Sequence, residues 1–129
     1  MTPEMPDRLD LTSSTQSARH ARVWVSALCE RWDCAGATDV LTLIVSELVE
    51  ASVRHGSEGL AIEIERVDGT LVGALRTSDG AWAHDRHLED EDRWMLQVVD
   101  ALVDRWSVIG DADVQRLRFE VPCRLTPMG

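Results

Sequence analysis

The stretch from Ile44 to Gly56 limits what this chain can become more than any other. Val40, Leu41, Ile44, Val45, Leu48, Val49, Ser52 and Val53 recur at three- and four-residue spacing. They predict an amphipathic helix with a broad apolar face. Thr38 or Asp39 can cap its start. Arg54 and His55 suit the negative end of a helix dipole, and Gly56 fits a left-handed stop.

The remaining pattern has room for one domain. A chain of 129 residues, 44% of them apolar, has the material for a core and buries roughly two-thirds of its unfolded surface. Residues 1–10 read as a flexible tail leading into a short edge strand, where Leu9 and Leu11 alternate with Asp10. Ser13, Ser14 and Thr15 offer capping hydroxyls for a first helix carrying Ala18, Ala21, Val25, Leu28 and Trp32, which Gly36 breaks. From Leu60 the period becomes two, and Asp68-Gly69 marks a hairpin whose second strand runs from Leu71 to Arg76. A third helix is expected from Arg93 to Trp106, then a turn at Asp111-Ala112-Asp113 and a last strand from Leu117 to Val121. The order β-α-α-β-β-α-β predicts an α+β two-layer sandwich, with helices on one face of a mostly antiparallel sheet. The domain is drawn at residues 11–123, with a tail at 124–129.

Charge and cysteine use narrow the setting. The net charge is −10 and all 13 basic residues are arginine. Such a chain repels phosphate backbones, so no nucleic-acid partner is expected, and a basic protein suits it better. No apolar run approaches the ~18 residues that span a bilayer, and the N-terminus lacks the basic and apolar regions of a signal peptide. The expectation is a cytoplasmic protein that engages no membrane. Cys29, Cys34 and Cys123 cannot all pair, and the spacing of the first two fits neither a zinc knuckle nor a C-x-x-C motif. Buried free thiols in a reducing compartment are expected.

Two runs carry a resemblance. Ser46-Glu47-Leu48-Val49 with Val53-Arg54-His55-Gly56, and Val98-Val99-Asp100-Ala101-Leu102-Val103-Asp104-Arg105-Trp106, resemble the histidine-kinase-like ATPases. Within that fold they are closest to the small anti-sigma factors that double as serine protein kinases. The likeness extends from Leu11 to Val121. It implies a Glu that serves as general base for phosphoryl transfer to a serine hydroxyl, and Glu47 stands in that position. It also implies an Asn one helical turn later that ligates magnesium, because a hard cation needs an oxygen donor. This chain has Ala51 there.

The family's adenine-reading Asp corresponds to Asp79, for which a turn role is the equal alternative. Its glycine-rich lid, where backbone N–H groups approach the phosphates, corresponds to Arg93, Trp94 and Met95. The later glycine-lysine pair falls at Val114 and Gln115. Of the lid residues only Arg93 could still reach a phosphate, through a bidentate contact. With these parts missing, Glu47 reads as a vestigial base. The expectation is a non-catalytic anti-sigma-like regulator with no cofactor and no metal. The alternative is an active kinase that uses ATP and magnesium. The resemblance implies a sigma factor or an anti-anti-sigma (STAS) protein as partner, and a homodimer as a further form.

Two other groupings stand beside this reading. His84, Asp85, His87 and the carboxylates from Glu89 to Asp92 have donor types for zinc or manganese. A solvated acidic loop offering a negative surface is the expected role. Trp32 and Trp106 are placed in the core on helix faces. Trp82 and Trp94 either fill the vacated nucleotide pocket or anchor a partner.

Overall fold

The computed structural model describes residues 7–12, 14–54, 59–77, 97–110 and 115–123, without the side chains of 108–110 and 115. Five antiparallel strands form one sheet in the order β1-β2-β3-β5-β4. They are β1 (Asp7–Thr12), β2 (Gly59–Val67), β3 (Thr70–Thr77), β4 (Arg105–Gly110) and β5 (Gln115–Pro122). Helices α1 (Ser17–Arg31) and α2 (Thr38–Arg54) cover one face. The expected two-layer α+β sandwich is what forms.

The period-two pattern sorts the sheet residues cleanly. Leu11, Leu60, Ile62, Ile64, Leu71, Leu75, Leu117, Phe119 and Val121 share one buried cluster with Ala21, Val25, Leu28, Leu41, Ile44, Val45, Leu48 and Val49 from the helices. Phe119, the chain's only phenylalanine, lies directly across from Gly73. A β-carbon at Gly73 would stand 3.0 Å or closer to three carbons of its ring. Only a residue without a side chain fits beneath that ring.

No described element covers the other face, which is charged. Alternation places Arg8, Asp10, Glu63, Glu65, Arg76, Arg105, Arg116, Arg118 and Glu120 there. Glu63 accepts from Arg76 at 3.5 Å and sits 3.6 Å from Arg116. Those arginines are cross-strand partners, a like-charge pair that a shared carboxylate makes tolerable. Arg8 pairs with Asp10 and Arg118 with Glu120 along their own strands.

Several expectations need correction. The strand β1 starts at Asp7, so residues 7–10 belong to the sheet rather than to a tail. The first helix ends at Arg31, before Gly36, because Asp33 takes the left-handed conformation (φ 56°). The Asp33 and Cys34 N–H groups then donate to Glu30 O and Cys29 O, the paired bonds of a Schellman stop. Trp32 lies past that helix, half-buried against the core. Neither Thr38 nor Asp39 caps α2 from outside, since a 3-10 turn at Ala35–Ala37 runs straight into it.

The third helix does not reach Trp106. Residues 97–102 are helical, Val103 N–H makes the last bond back to Val99 O, and Asp104 N–H already donates to Glu120 O across the sheet. Arg105 to Gly110 form a fifth strand that the helical reading hid. Trp106 therefore packs on the core from a strand, its ring nitrogen donating to Asp100 at 2.8 Å.

The cysteine expectation is overturned as well. Cys34 and Cys123 form a disulfide with Cα atoms 5.1 Å apart, and only Cys29 is free and buried. Spacing along the chain could not show this, because the bonded residues lie 89 apart.

Candidate functional site

The helix α2 brings two of the expected site residues into view. Glu47 is half-buried. Ala51, one turn later, is 0% exposed and belongs to the core cluster with Leu48 and Val49. The two buried serine hydroxyls on this helix are matched. Ser46 Oγ accepts from Arg22 Nη1 of α1 at 2.9 Å, and Ser52 Oγ donates to Leu48 O at 2.9 Å. The Arg22–Ser46 contact across the helix pair was not foreseen, since residues 24 apart leave no local signal.

Among the described residues one buried hydroxyl remains unmatched. Thr77, the last residue of β3, continues the inward row of Leu71, Gly73 and Leu75 and is 1% exposed. Its Oγ1 is buried without a hydrogen-bond partner, a state that costs about 1–3 kcal/mol unless something polar meets it. Sequence reading passed over Thr77, although its inward register at a strand end was a usable signal. Asp79 lies two positions further on and falls outside the described residues. So do Arg93 and Met95, together with Trp82, Trp94 and the acidic run from His84 to Asp92.

Around this end of the molecule two clefts open. One is lined by Ser14, Thr15, Ala18, Glu50, Val53 and Arg54, between the start of α1 and the last turn of α2. The other borders the ends of β1, β2 and β3, where Arg8, Asp10, Gly59 and Arg76 meet Thr77. The start of α1 is fastened to β1 by Ser17 Oγ, which donates to Thr12 O.

The fit of a magnesium–nucleotide can be tested on these residues. Magnesium demands oxygen donors in near-octahedral geometry. Position 51 supplies a methyl group enclosed by the core, so α2 does not offer the cation ligand that the resemblance implies. Thr77 Oγ1, by contrast, is a buried polar atom of the kind that a bound polar group would satisfy.

No protein-family model matches the chain, and no curated protein sequence matches it. Solved structures do. The crystal structure of the RsbU and RsbW domains of Rv1364c from Mycobacterium tuberculosis superposes with a TM-score of 0.69 at 18% identity, covering 98% of this chain and 35% of that one. The histidine kinase domain of the blue-light-activated kinase EL346 from Erythrobacter litoralis gives a TM-score of 0.56 at 11% identity, covering 95% and 70%. This chain therefore spans about a third of the length of the first. Both similarities place it in the histidine-kinase-like ATPase fold. No helix among the described residues is long and apolar enough to cross a membrane.

Proposed function

We propose that this protein is an anti-sigma-like regulator that acts by binding other proteins and does not transfer phosphate. The observation that carries the reading is Ala51, sealed in the core where the resembling family needs an oxygen donor. Without that ligand the triphosphate's charge is not neutralised by a fixed cation, and Glu47 has no positioned reaction to assist. The resemblance supports a sigma factor or a STAS-domain anti-anti-sigma protein as partner, and a homodimer as a further form. A cytoplasmic location belongs to the same reading.

A second reading, nucleotide binding with residual kinase activity, draws support from Thr77. Its unpartnered hydroxyl lies at the end of the strand that leads to Asp79. One titration separates the two. Thermal melting and tryptophan fluorescence are followed against ATP with magnesium, and against ATP with a chelator. A ligand at 100 times its Kd adds about 2.7 kcal/mol of stability. The regulator predicts no magnesium-dependent shift, whereas the kinase predicts saturable stabilisation that the chelator abolishes. Co-purification from the native cell, asking whether a sigma factor or a STAS protein accompanies the chain, tests the partner assignment.

A further inference from the structure

The proposed function leaves the cysteines unused, and their placement is specific. Cys34 precedes the 3-10 turn that starts α2, and Cys123 follows the last strand. Their bond joins the helical layer to the sheet. We propose that Cys34–Cys123 is a reversible thiol-oxidation site that locks the α1–α2 corner to the end of β5 when oxidised and frees it when reduced.

Reversibility follows from how the backbone of each cysteine is held. Cys34 N–H donates to Cys29 O at 2.7 Å inside the Schellman stop of α1. Cys123 N–H donates to Gly69 O at 2.8 Å, tying it to the β2–β3 hairpin. Neither segment owes its position to the disulfide alone. Once the bond is cut, the two thiols remain neighbours and the bond can re-form.

Burial sets the rate and protects the pairing. Cys34 and Cys123 are 0% and 2% exposed, so a reductant reaches them only when this corner opens. The third thiol belongs to Cys29, whose carbonyl accepts from Cys34 N–H, yet Cys29 is 1% exposed. Its burial pushes the thiol pKa up, against a smaller opposing effect of the Thr38 hydrogen bond. A thiol held neutral is a poor nucleophile, so exchange with the disulfide is suppressed.

The chemistry balances with a dithiol reductant. One of its thiolates attacks a sulfur of the bond, forms a mixed disulfide and expels the other cysteine as thiolate. Its second thiol then displaces the remaining cysteine and closes the reductant's own disulfide. Two electrons and two protons leave Cys34 and Cys123 as thiols. Reduced glutathione does the same with two molecules. The second thiolate attacks the glutathione sulfur of the mixed disulfide and leaves oxidised glutathione, which supplies the reverse by the same two exchanges.

The test equilibrates the full chain in glutathione mixtures from fully reduced to fully oxidised, then traps free thiols by alkylation and weighs the intact protein. The expected result is two interconverting forms that differ by two alkylated thiols, mapped to Cys34 and Cys123. Reduction lowers the melting temperature by about 10 °C or more, given a closed loop of this length. It also speeds amide exchange in residues 33–39 and 119–123 while the β2–β3 hairpin stays protected. Cys29→Ser responds like the unaltered chain, and Cys34→Ser/Cys123→Ser responds to neither buffer. If the double variant does not fold, trapping and melting of the unaltered chain decide. The proposal is overturned by a bond that persists in excess reduced glutathione, or by one that never forms in excess oxidised glutathione. A bond that includes Cys29, or a melting temperature indifferent to redox state, overturns it equally.

Discussion

The two ends of the sheet are built on different terms. At the end where β2 turns into β3, several groups are tied together. Asp68 supplies the left-handed residue of the hairpin (φ 54°), Cys123 N–H bonds to Gly69 O, and Arg66 Nη1 donates to Trp32 O at 2.6 Å. Arg31 pairs with Asp7 and lies over the Trp32 ring, and the disulfide closes the corner. At the opposite end, Thr77 keeps a buried hydroxyl without a partner and two clefts reach the surface. One end is spent on stability. The other keeps, among the described residues, one buried hydroxyl that a bound polar group would satisfy.

Substitutions can break or sharpen that contrast. The largest expected loss is at Phe119→Ala on the tied side, about 3–5 kcal/mol by urea unfolding, because the ring fills the core above Gly73. Gly73→Val, which pushes a branched side chain into that ring, costs about 1–3 kcal/mol with an unchanged m-value. Asp33→Val forces a β-branched residue into the left-handed region and costs about 1–2 kcal/mol. Thr77→Val at the open end has the opposite sign. Removing an orphaned hydroxyl raises stability by about 1 kcal/mol, and a measured loss instead would show that the hydroxyl is matched and erase the contrast.

The smallest effect is a pH slope. The folded-state pKa of Cys29 is raised above its unfolded value by burial, despite the Thr38 hydrogen bond. The folded state therefore holds its proton where the unfolded chain has lost it. That contribution is complete below the ordinary thiol range and is lost as pH rises through and above it. Chemical denaturation across that range should show a falling stability that Cys29→Ala flattens.

Much of the fold was legible in the sequence because period carries physical meaning. The alternation from Leu60 to Ile64 and the Asp68-Gly69 turn set the central hairpin, and the apolar face of α2 announced the layer above it. Glu47 and Ala51 were placed on that helix from wording alone, and both are found there. Arg105 to Gly110 escaped because Leu102, Val103 and Trp106 also satisfy helical spacing, so a short strand joined directly to a helix was absorbed into it. The Cys34–Cys123 bond, the Arg22–Ser46 contact and the Arg31–Asp7 pair all join distant positions. Only the folded chain brings them together. Thr77 was readable in register but not in significance, since nothing in one sequence says which inward hydroxyl lacks a partner.

The charged sheet face carries a last consequence. It bears five arginines against four carboxylates, a balance of +1, in a chain whose total is −10. The other described residues carry nine carboxylates against five arginines, a balance of −4, so charge is unevenly divided over the described fold. From the described residues alone, a negatively charged body meets less repulsion at this flank than at the helical side, and dissolved salt erases the bias once separations exceed about 8–10 Å.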